Sequence, residues 1–304
     1  MPADAIVRPV TGQVGAGVIT AQRPAEPASG PARTVATTVV AGHTRRRGGR
    51  PAVPRWVVKT ISPLVLVIGW AVASASGLLP RTTLAAPQDV LVKARELWSS
   101  GELPRAIAAS AERVGLGLAI GVTAAVVIAL LSGLFRLGED ILDAPIQMLR
   151  TVPVIGLIPL LIIWFGIGDE PKLILIALGV FFPLYLNLFA GIRGTDPALI
   201  EAGRTVGLRR FGLIRHVILP SAVPSGLVGL RYSIGVSWLI LVFAETINAT
   251  TGIGFLINNA REFFETDTIV LCLVLYAVLG LLADVFVRLL ERVLLAWRPT
   301  FTGA

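Results

Sequence analysis

The chain has 304 residues, of which 54% are apolar and only 15% charged, and its mean hydropathy is +0.78. Soluble domains carry about 25% charged residues. This composition therefore excludes a water-facing enzyme, a disordered protein and a disulfide-stapled domain, and it points to an all-α integral membrane protein. The formal net charge of +8 is local, since nine basic and two acidic residues fall within 1–59, against 18 and 17 in the remainder.

In chain order, residues 1–55 come first. They are rich in Ala, Pro, Gly, Thr and Arg, without helical or strand period, and cannot bury enough apolar surface to offset ordering entropy. They are read as a disordered basic cytoplasmic tail without the apolar core of a secretory signal. Arg45, Arg46, Arg47, Arg50, Arg55 and Lys59 gather just before the first apolar run. Cations there orient a membrane protein and touch anionic headgroups of membrane lipids. No basic face with interleaved aromatics occurs, so nucleic acid is not an expected partner.

Six apolar runs follow: Ile61–Leu79, Val114–Phe135, Val152–Ile167, Leu173–Ile192, Gly226–Ala244 and Ile269–Leu290. The second is preceded by an amphipathic stretch, Ala106–Arg113. The third lengthens if Ile146–Leu149 joins it through Arg150. The sixth carries Asp284 as it leaves the bilayer. Each run approaches the ~20 residues needed to cross about 30 Å at 1.5 Å per residue. Alternating the runs across a membrane places sixteen flanking Lys and Arg on the side of the N-terminus and seven on the other. The positive-inside rule then sets both termini in the cytoplasm and makes 193–221 the longest cytoplasmic connection. The Gly117–Gly121 pair of the second run suits close helix packing.

Scarce residue types exclude further chemistry. Cys272 is the single cysteine, His43 and His216 are far apart, and neither Lys59, Lys93 nor Lys172 follows a glycine. There is no His/Cys metal set from local spacing, no Walker A phosphate loop, and no local grouping that could host catalysis. The chain is expected to be no enzyme and to carry no cofactor of its own.

The longest cytoplasmic connection reads Glu201-Ala202-Gly203-Arg204-Thr205-Val206-Gly207, then nine residues, then Val217-Ile218-Leu219-Pro220. Asp196-Pro197 is a helix-starting pair, small residues permit close approach by a partner, and Gly207 suits a left-handed C-cap. This pattern resembles the signature of bacterial ABC-importer permeases: Glu-Ala-Ala, three residues, Gly, nine residues, Ile, any residue, Leu-Pro. Gly203 and Val217 depart from it conservatively. The strings Asp143–Pro153, Leu157-Ile158-Pro159, Trp164–Ile167, Ala244–Ile247, Thr251–Gly254 and Asn258–Phe263 are similar to the nitrate/sulfonate/taurine branch, most closely its aliphatic-sulfonate members.

The resemblance covers about 56–297 and implies a six-span permease domain of the type I ABC-importer fold, with a coupling loop at 194–220 and a C-terminal cytoplasmic tail at 298–304. It implies that Glu201, Ala202, Gly203, Gly207, Leu219 and Pro220 serve docking to an ATPase. The implied partners are two ATPase copies, which bind ATP and Mg, an extracytoplasmic solute-binding protein, and a second copy of the chain as a homodimer. The implied location is the cytoplasmic (inner) membrane. The expected function is import of small oxyanions, aliphatic sulfonates foremost, with taurine, nitrate or another small organic solute as alternatives. An ATP-independent secondary transporter is the rival from another class.

Polar residues in the spans, Gln147, Arg150, Thr151, Asn187 and Glu245, are the candidates for a translocation path, because a charge facing lipid costs several kcal/mol and should face protein or a water-filled path. Gln147, Arg150 and Thr151 are read on one face of span three. Arginine's planar fork suits an oxyanion, while snorkelling to headgroups is the competing role for Arg150. Glu245 is either a polar constriction near the outer face or a helix–helix bond. Asn187 carries the same two readings. Arg231 lies fourteen residues before Glu245, roughly 21 Å along a helix, so the two cannot pair. Gly252, Gly254, Asn258 and Asn259 belong to an extracytoplasmic segment that either closes the outer mouth, as an outer gate, or anchors at the interface.

Overall fold

The computed structural model describes residues 55–77, 80 and 83–297. The expected tails, 1–55 apart from Arg55 and 298–304, lie outside the described residues. Within these the chain is helical, with no strand: α1 (Arg55–Ala75), α2 (Pro87–Ser99), α3 (Glu102–Leu134), α4 (Arg136–Leu149), a 3-10 turn at Val154–Leu157 leading into α5 (Ile158–Phe165), α6 (Glu170–Arg193), α7 (Pro197–Thr205), α8 (Arg210–Leu213), a π turn at Ile214–Ile218, α9 (Leu219–Asn248), α10 (Ile253–Glu262) and α11 (Thr266–Leu294).

Four stretches are long and apolar enough to cross a bilayer: Glu102–Leu134, Glu170–Arg193, Arg210–Ile247 and Thr266–Leu294. The broken pair α4 and α5 passes the same test only when its two arms are taken as one bent span. Of the 21-residue α1 only the shorter stretch Leu64–Ala75 is apolar throughout, so among the described residues four crossings, or five with the bent pair, stand where the sequence suggests six. The second span is longer than its apolar run, because the amphipathic stretch before it continues into the same 33-residue helix.

The third crossing departs from the single span expected. Its two arms, 136–149 and 154–165, meet at 84°. Pro153 has no N–H to donate and disfavours helical backbone at the residue before it. The Thr151 hydroxyl instead donates to the Met148 carbonyl at 2.7 Å. Gln147, Arg150 and Thr151 therefore share no continuous helix face. Gln147 sits in α4 and donates to Asp143 at 3.3 Å, Arg150 ends that helix, and Thr151 lies in the turn.

Lipid tails are as apolar as leucine, so close packing rather than water exclusion holds such helices together. The α3 face toward α6 is a stripe of small residues at four-residue spacing: Gly117, Gly121, Ala125 and Ala129, all buried. A Cβ at Gly117 would lie 2.5 Å from Ile176 Cγ2, and one at Gly121 would lie 2.6 Å from the Ala177 carbonyl. The glycines let the two backbones approach. Val114, Leu175, Ile176, Ile240 and Leu241 form the middle of the core where α3, α6 and α9 meet. Toward the end where α3 and α11 begin, Val90 and Leu97 of α2 pack with Leu103, Ile253, Leu271 and Cys272. The bundle thus has two ends, one carrying α7 and the other α10.

Candidate functional site

At the first end, local sequence builds a closed hairpin. The Asp196 carboxylate accepts from the Ala198 N–H at 2.9 Å, and Pro197 occupies the first helical turn of α7, where its missing N–H costs nothing. The helix ends in a Schellman turn: Leu208 N–H donates to Gly203 O at 3.0 Å and Gly207 N–H to Arg204 O at 2.9 Å. Gly207 has φ +91°, a left-handed value that side chains with a Cβ resist. Gly203 is buried, and a Cβ there would lie 2.7 Å from Leu213 Cδ2 and 3.3 Å from Val217 Cγ2. The chain after α7 folds back against it, and Leu219 and Pro220 open α9.

The base of the hairpin is tied to the bundle. Arg193 pairs with Glu139 and also donates to the Ser132 carbonyl, and the Arg210 guanidinium lies 5.6 Å over the Phe135 ring. What α7 presents outward is mixed: apolar side chains beside the acid Glu201 and the base Arg204, both exposed. Glu201 and Ala202 are exposed, as are Leu199, Val206 at 82% and Phe211 at 74%. Leu199, Ala202, Val206, His216 and Pro220 line a groove of about 710 Å³. Five of the six residues expected to serve docking, Glu201, Ala202, Gly203, Leu219 and Pro220, fall within this hairpin and the start of α9, and Gly207 caps it.

At the other end, α3 and α10 converge on one carboxylate of α9. Glu245 is 1% exposed. Arg113 Nη1 donates to its Oε1 at 2.7 Å, the Ser110 hydroxyl lies 2.8 and 2.9 Å from its two oxygens, and Gly254 N–H donates to Oε2 at 2.8 Å. Ser110 also accepts from Ile253 N–H at 2.9 Å. Arg113 extends the network by donating to the Thr251 carbonyl at 2.7 Å and to Asp169 at 2.9 Å. Lys172 reaches the same Asp169 oxygen at 3.0 Å. Two cations face two anions, so the cluster is neutral. Burial pushes the Asp169 carboxyl upward, but hydrogen bonds from Arg113 and Lys172 outweigh it and hold its pKa below the ordinary aspartate value.

The two glycines expected at an outer gate wrap this carboxylate. Gly252 has φ +126°, and a Cβ at either Gly252 or Gly254 would run into the Glu245 side chain. Asn258 donates to Glu262 along the α10 surface, and Asn259 is exposed. Glu245 thus touches Gly252 and Gly254 but stands apart from Gln147, Arg150 and Thr151. Asn187 turns back on its own helix and donates to the Pro183 carbonyl at 2.8 Å.

Two partnerships went unread in the sequence. The sequence reading places Arg113 among the flanking charges and passes over Ser110, although their spacing continues the Gly117–Gly121 face of α3. Arg231 of α9 pairs with Glu291 at 2.8 Å and with Asp284 at 3.4 Å, both on α11. The signal available was an arginine and two acids at matching depth in neighbouring apolar runs.

Residues 117–295 match the profile of the family described as "Binding-protein-dependent transport system inner membrane component". The chain is 46% identical over 253 residues to the aliphatic sulfonates transport permease protein SsuC of Escherichia coli (strain K12), covering 82% of this chain and 96% of that protein. With the protein of the same name from Bacillus subtilis (strain 168) it shares 41% identity over 248 residues, 82% of this chain and 90% of that one. With the taurine transport system permease protein TauC of Escherichia coli (strain K12) it shares 35% over 262 residues, 84% and 95% of the two chains. A solved structure, the crystal structure of an amino acid ABC transporter with histidines, is similar in fold, with a TM-score of 0.54 at 19% identity over 66% of this chain and 96% of that one.

Proposed function

This chain belongs to the inner-membrane components of binding-protein-dependent transport systems, and we propose that it is the membrane-spanning permease of an ATP-driven importer of small oxyanions, aliphatic sulfonates first among them. The observation that carries the coupling role is α7, a short helix capped at both ends, braced at its base, and presenting Leu199, Glu201 and Val206 outward. A helix so fixed transmits a push at its surface to α6 and α9 without deforming. In this reading two ATPase subunits bind and hydrolyse ATP with Mg, and each docks on one copy of this hairpin in a homodimer of the chain. An extracytoplasmic binding protein delivers the solute, and both termini lie in the cytoplasm. This chain performs no covalent chemistry.

The sulfonate assignment is supported by two relatives above 40% identity whose names specify aliphatic sulfonates. Against an ATP-independent secondary transporter stands the state of the ionisable groups. Glu245 is held by Arg113, and Arg231 by Asp284 and Glu291, whereas a proton or ion relay needs groups free to exchange their partners. The test is uptake of a labelled short alkanesulfonate by cells lacking this chain, with and without it restored, in competition with taurine and nitrate. Restored, ATP-dependent uptake resistant to both competitors is the expected result. A chain present in the membrane without sulfonate uptake overturns the substrate.

A further inference from the structure

The helix α2 carries two apolar faces, and only one of them is packed into the fold. Val90 and Leu97 are buried with Leu103 and Leu271 in one apolar cluster. On the adjoining face Leu91, Val92 and Trp98 are exposed, and Arg95, also exposed, stands among them at helical spacing. Among the described residues no carboxylate pairs with Arg95, whereas Lys93 of the same helix is matched by Glu96 and Glu265. A short helix with apolar side chains, a tryptophan and a free cation on one face is the pattern of a segment lying in a membrane interface.

That face opens onto a groove of about 650 Å³ between α2, α3 and α11. Val92 and Trp98 line it from α2, Ile107 from α3, and Leu271 and Leu275 from α11, and among the described residues Arg95 is the one charged group in its lining. Leu275 stands nine residues after the start of α11, about 14 Å along the helix. The hydrocarbon core of a bilayer is about 30 Å thick, so the groove reaches as deep as one leaflet. A helix from a second copy of the chain would cross both leaflets and need a seam twice as long. An acyl chain stays within one leaflet, with its phosphate at the level of α2. The planar fork of an arginine suits two phosphate oxygens, and Arg95, with no carboxylate paired to it, gains its counter-charge from an anionic headgroup.

We infer that this groove binds one anionic phospholipid of the leaflet at the α10 end. The phosphate sits on Arg95 with Trp98 beside the headgroup, and an acyl chain lies against Ile107, Leu271 and Leu275. The bound lipid joins α2 to α3 and α11 across a seam that side chains leave unfilled. Ile107 lies one turn before Ser110 on α3, so the lipid touches that helix next to the Glu245 network. The inference goes beyond the importer reading and is independent of which solute is carried.

The test is native mass spectrometry of the permease–ATPase complex, purified in detergent and titrated with phosphatidylglycerol. The wild type is expected to retain one such lipid per permease copy after bulk lipid has been stripped. Arg95→Gln removes the cation and should weaken retention about tenfold, as for a hydrogen bond to a charged group. Leu275→Trp fills the deep end of the groove and should abolish retention. Arg261→Gln, at an exposed arginine of α10 outside the groove, controls for charge alone and should retain the lipid as the wild type does. Phosphatidylcholine, with the same phosphate but no net charge, should be held less firmly. A photoreactive p-benzoylphenylalanine at position 92 should give an adduct of lipid mass. Equal retention by wild type, Arg95→Gln and Leu275→Trp overturns the site, as does an equal loss from Arg261→Gln and Arg95→Gln. Equal retention of the two lipids overturns the anionic assignment. An adduct from position 92 to a second copy of the chain overturns the lipid as occupant. Two variants and the photo-adduct allow one variant to fail assembly without loss of the test. Cellular uptake of sulfonate decides the importer reading separately from any of these outcomes.

Discussion

The two ends of this bundle are built by opposite means. The α7 hairpin is made by neighbours: Asp196 caps Ala198, Gly207 and Leu208 close on Arg204 and Gly203, and every bond spans a few residues. The Glu245 cluster is made by strangers, with Ser110 and Glu245 separated by 135 positions and Arg113 and Thr251 by 138. One end is exposed, mixed in character and stiff, as suits a surface that receives a partner. The other is buried, ionic and neutral, and suits locking α3, α6, α9 and α10 into one body. A local device tolerates surface change and loses only its partner, whereas a distributed one fails when any member is removed.

Substitutions sharpen this contrast. The largest effect is expected from Arg113→Leu, which removes the cation from beside the buried Glu245, at a cost of about 3–5 kcal/mol. The variant should fail to accumulate as folded protein in the membrane, measured by fluorescence-detected size exclusion. Glu245→Gln keeps an acceptor for Gly254 N–H and should lose less, about 1–3 kcal/mol. Equal accumulation of Arg113→Leu and wild type would show that the cluster is not what holds α10.

At the other end the fold should survive and the assembly should not. Glu201→Arg reverses the one acid of the α7 surface and is expected to leave the chain in the membrane while abolishing co-purification of the ATPase. Normal assembly by that variant removes the docking face from Glu201.

The difference also governs what could be read beforehand. The α7 hairpin was legible because its information is contiguous: a capping pair, small residues, a C-terminal glycine and a fixed spacing. Runs two, four, five and six were legible because hydropathy is summed over neighbours. The break at Pro153 was half visible, since proline marks a loosened helix but not an 84° turn. The pairing of Arg113 with Glu245 could not be read from spacing, because each residue alone looks like a charge near a membrane surface. What makes them partners is the glycine stripe that brings α3 against α6 and α9, a tertiary fact.

The smallest effect concerns pH. Asp169 is held below the ordinary aspartate pKa of about 4 by Arg113 and Lys172, against the opposing push of burial. Its contribution is therefore complete above the ordinary value and is lost as pH falls through the lowered one. Melting temperature in detergent should drop for the wild type as pH is taken below about 4, and Asp169→Asn should begin lower and show a flatter profile. Identical profiles would remove Asp169 from the cluster's electrostatics.

The central claim is that α7 is where the ATPase docks, and chemistry can address it directly. Cys272 is the single cysteine and is buried, so an introduced thiol is the reactive one. Val206→Cys, at a position 82% exposed on the hairpin, and Phe263→Cys, at one 70% exposed at the α10 end, can each be cross-linked in membranes containing the ATPase subunit. The account predicts a permease–ATPase cross-link from position 206 and none from 263. Cross-linking from 263, or none from 206 in an assembled complex, would contradict it.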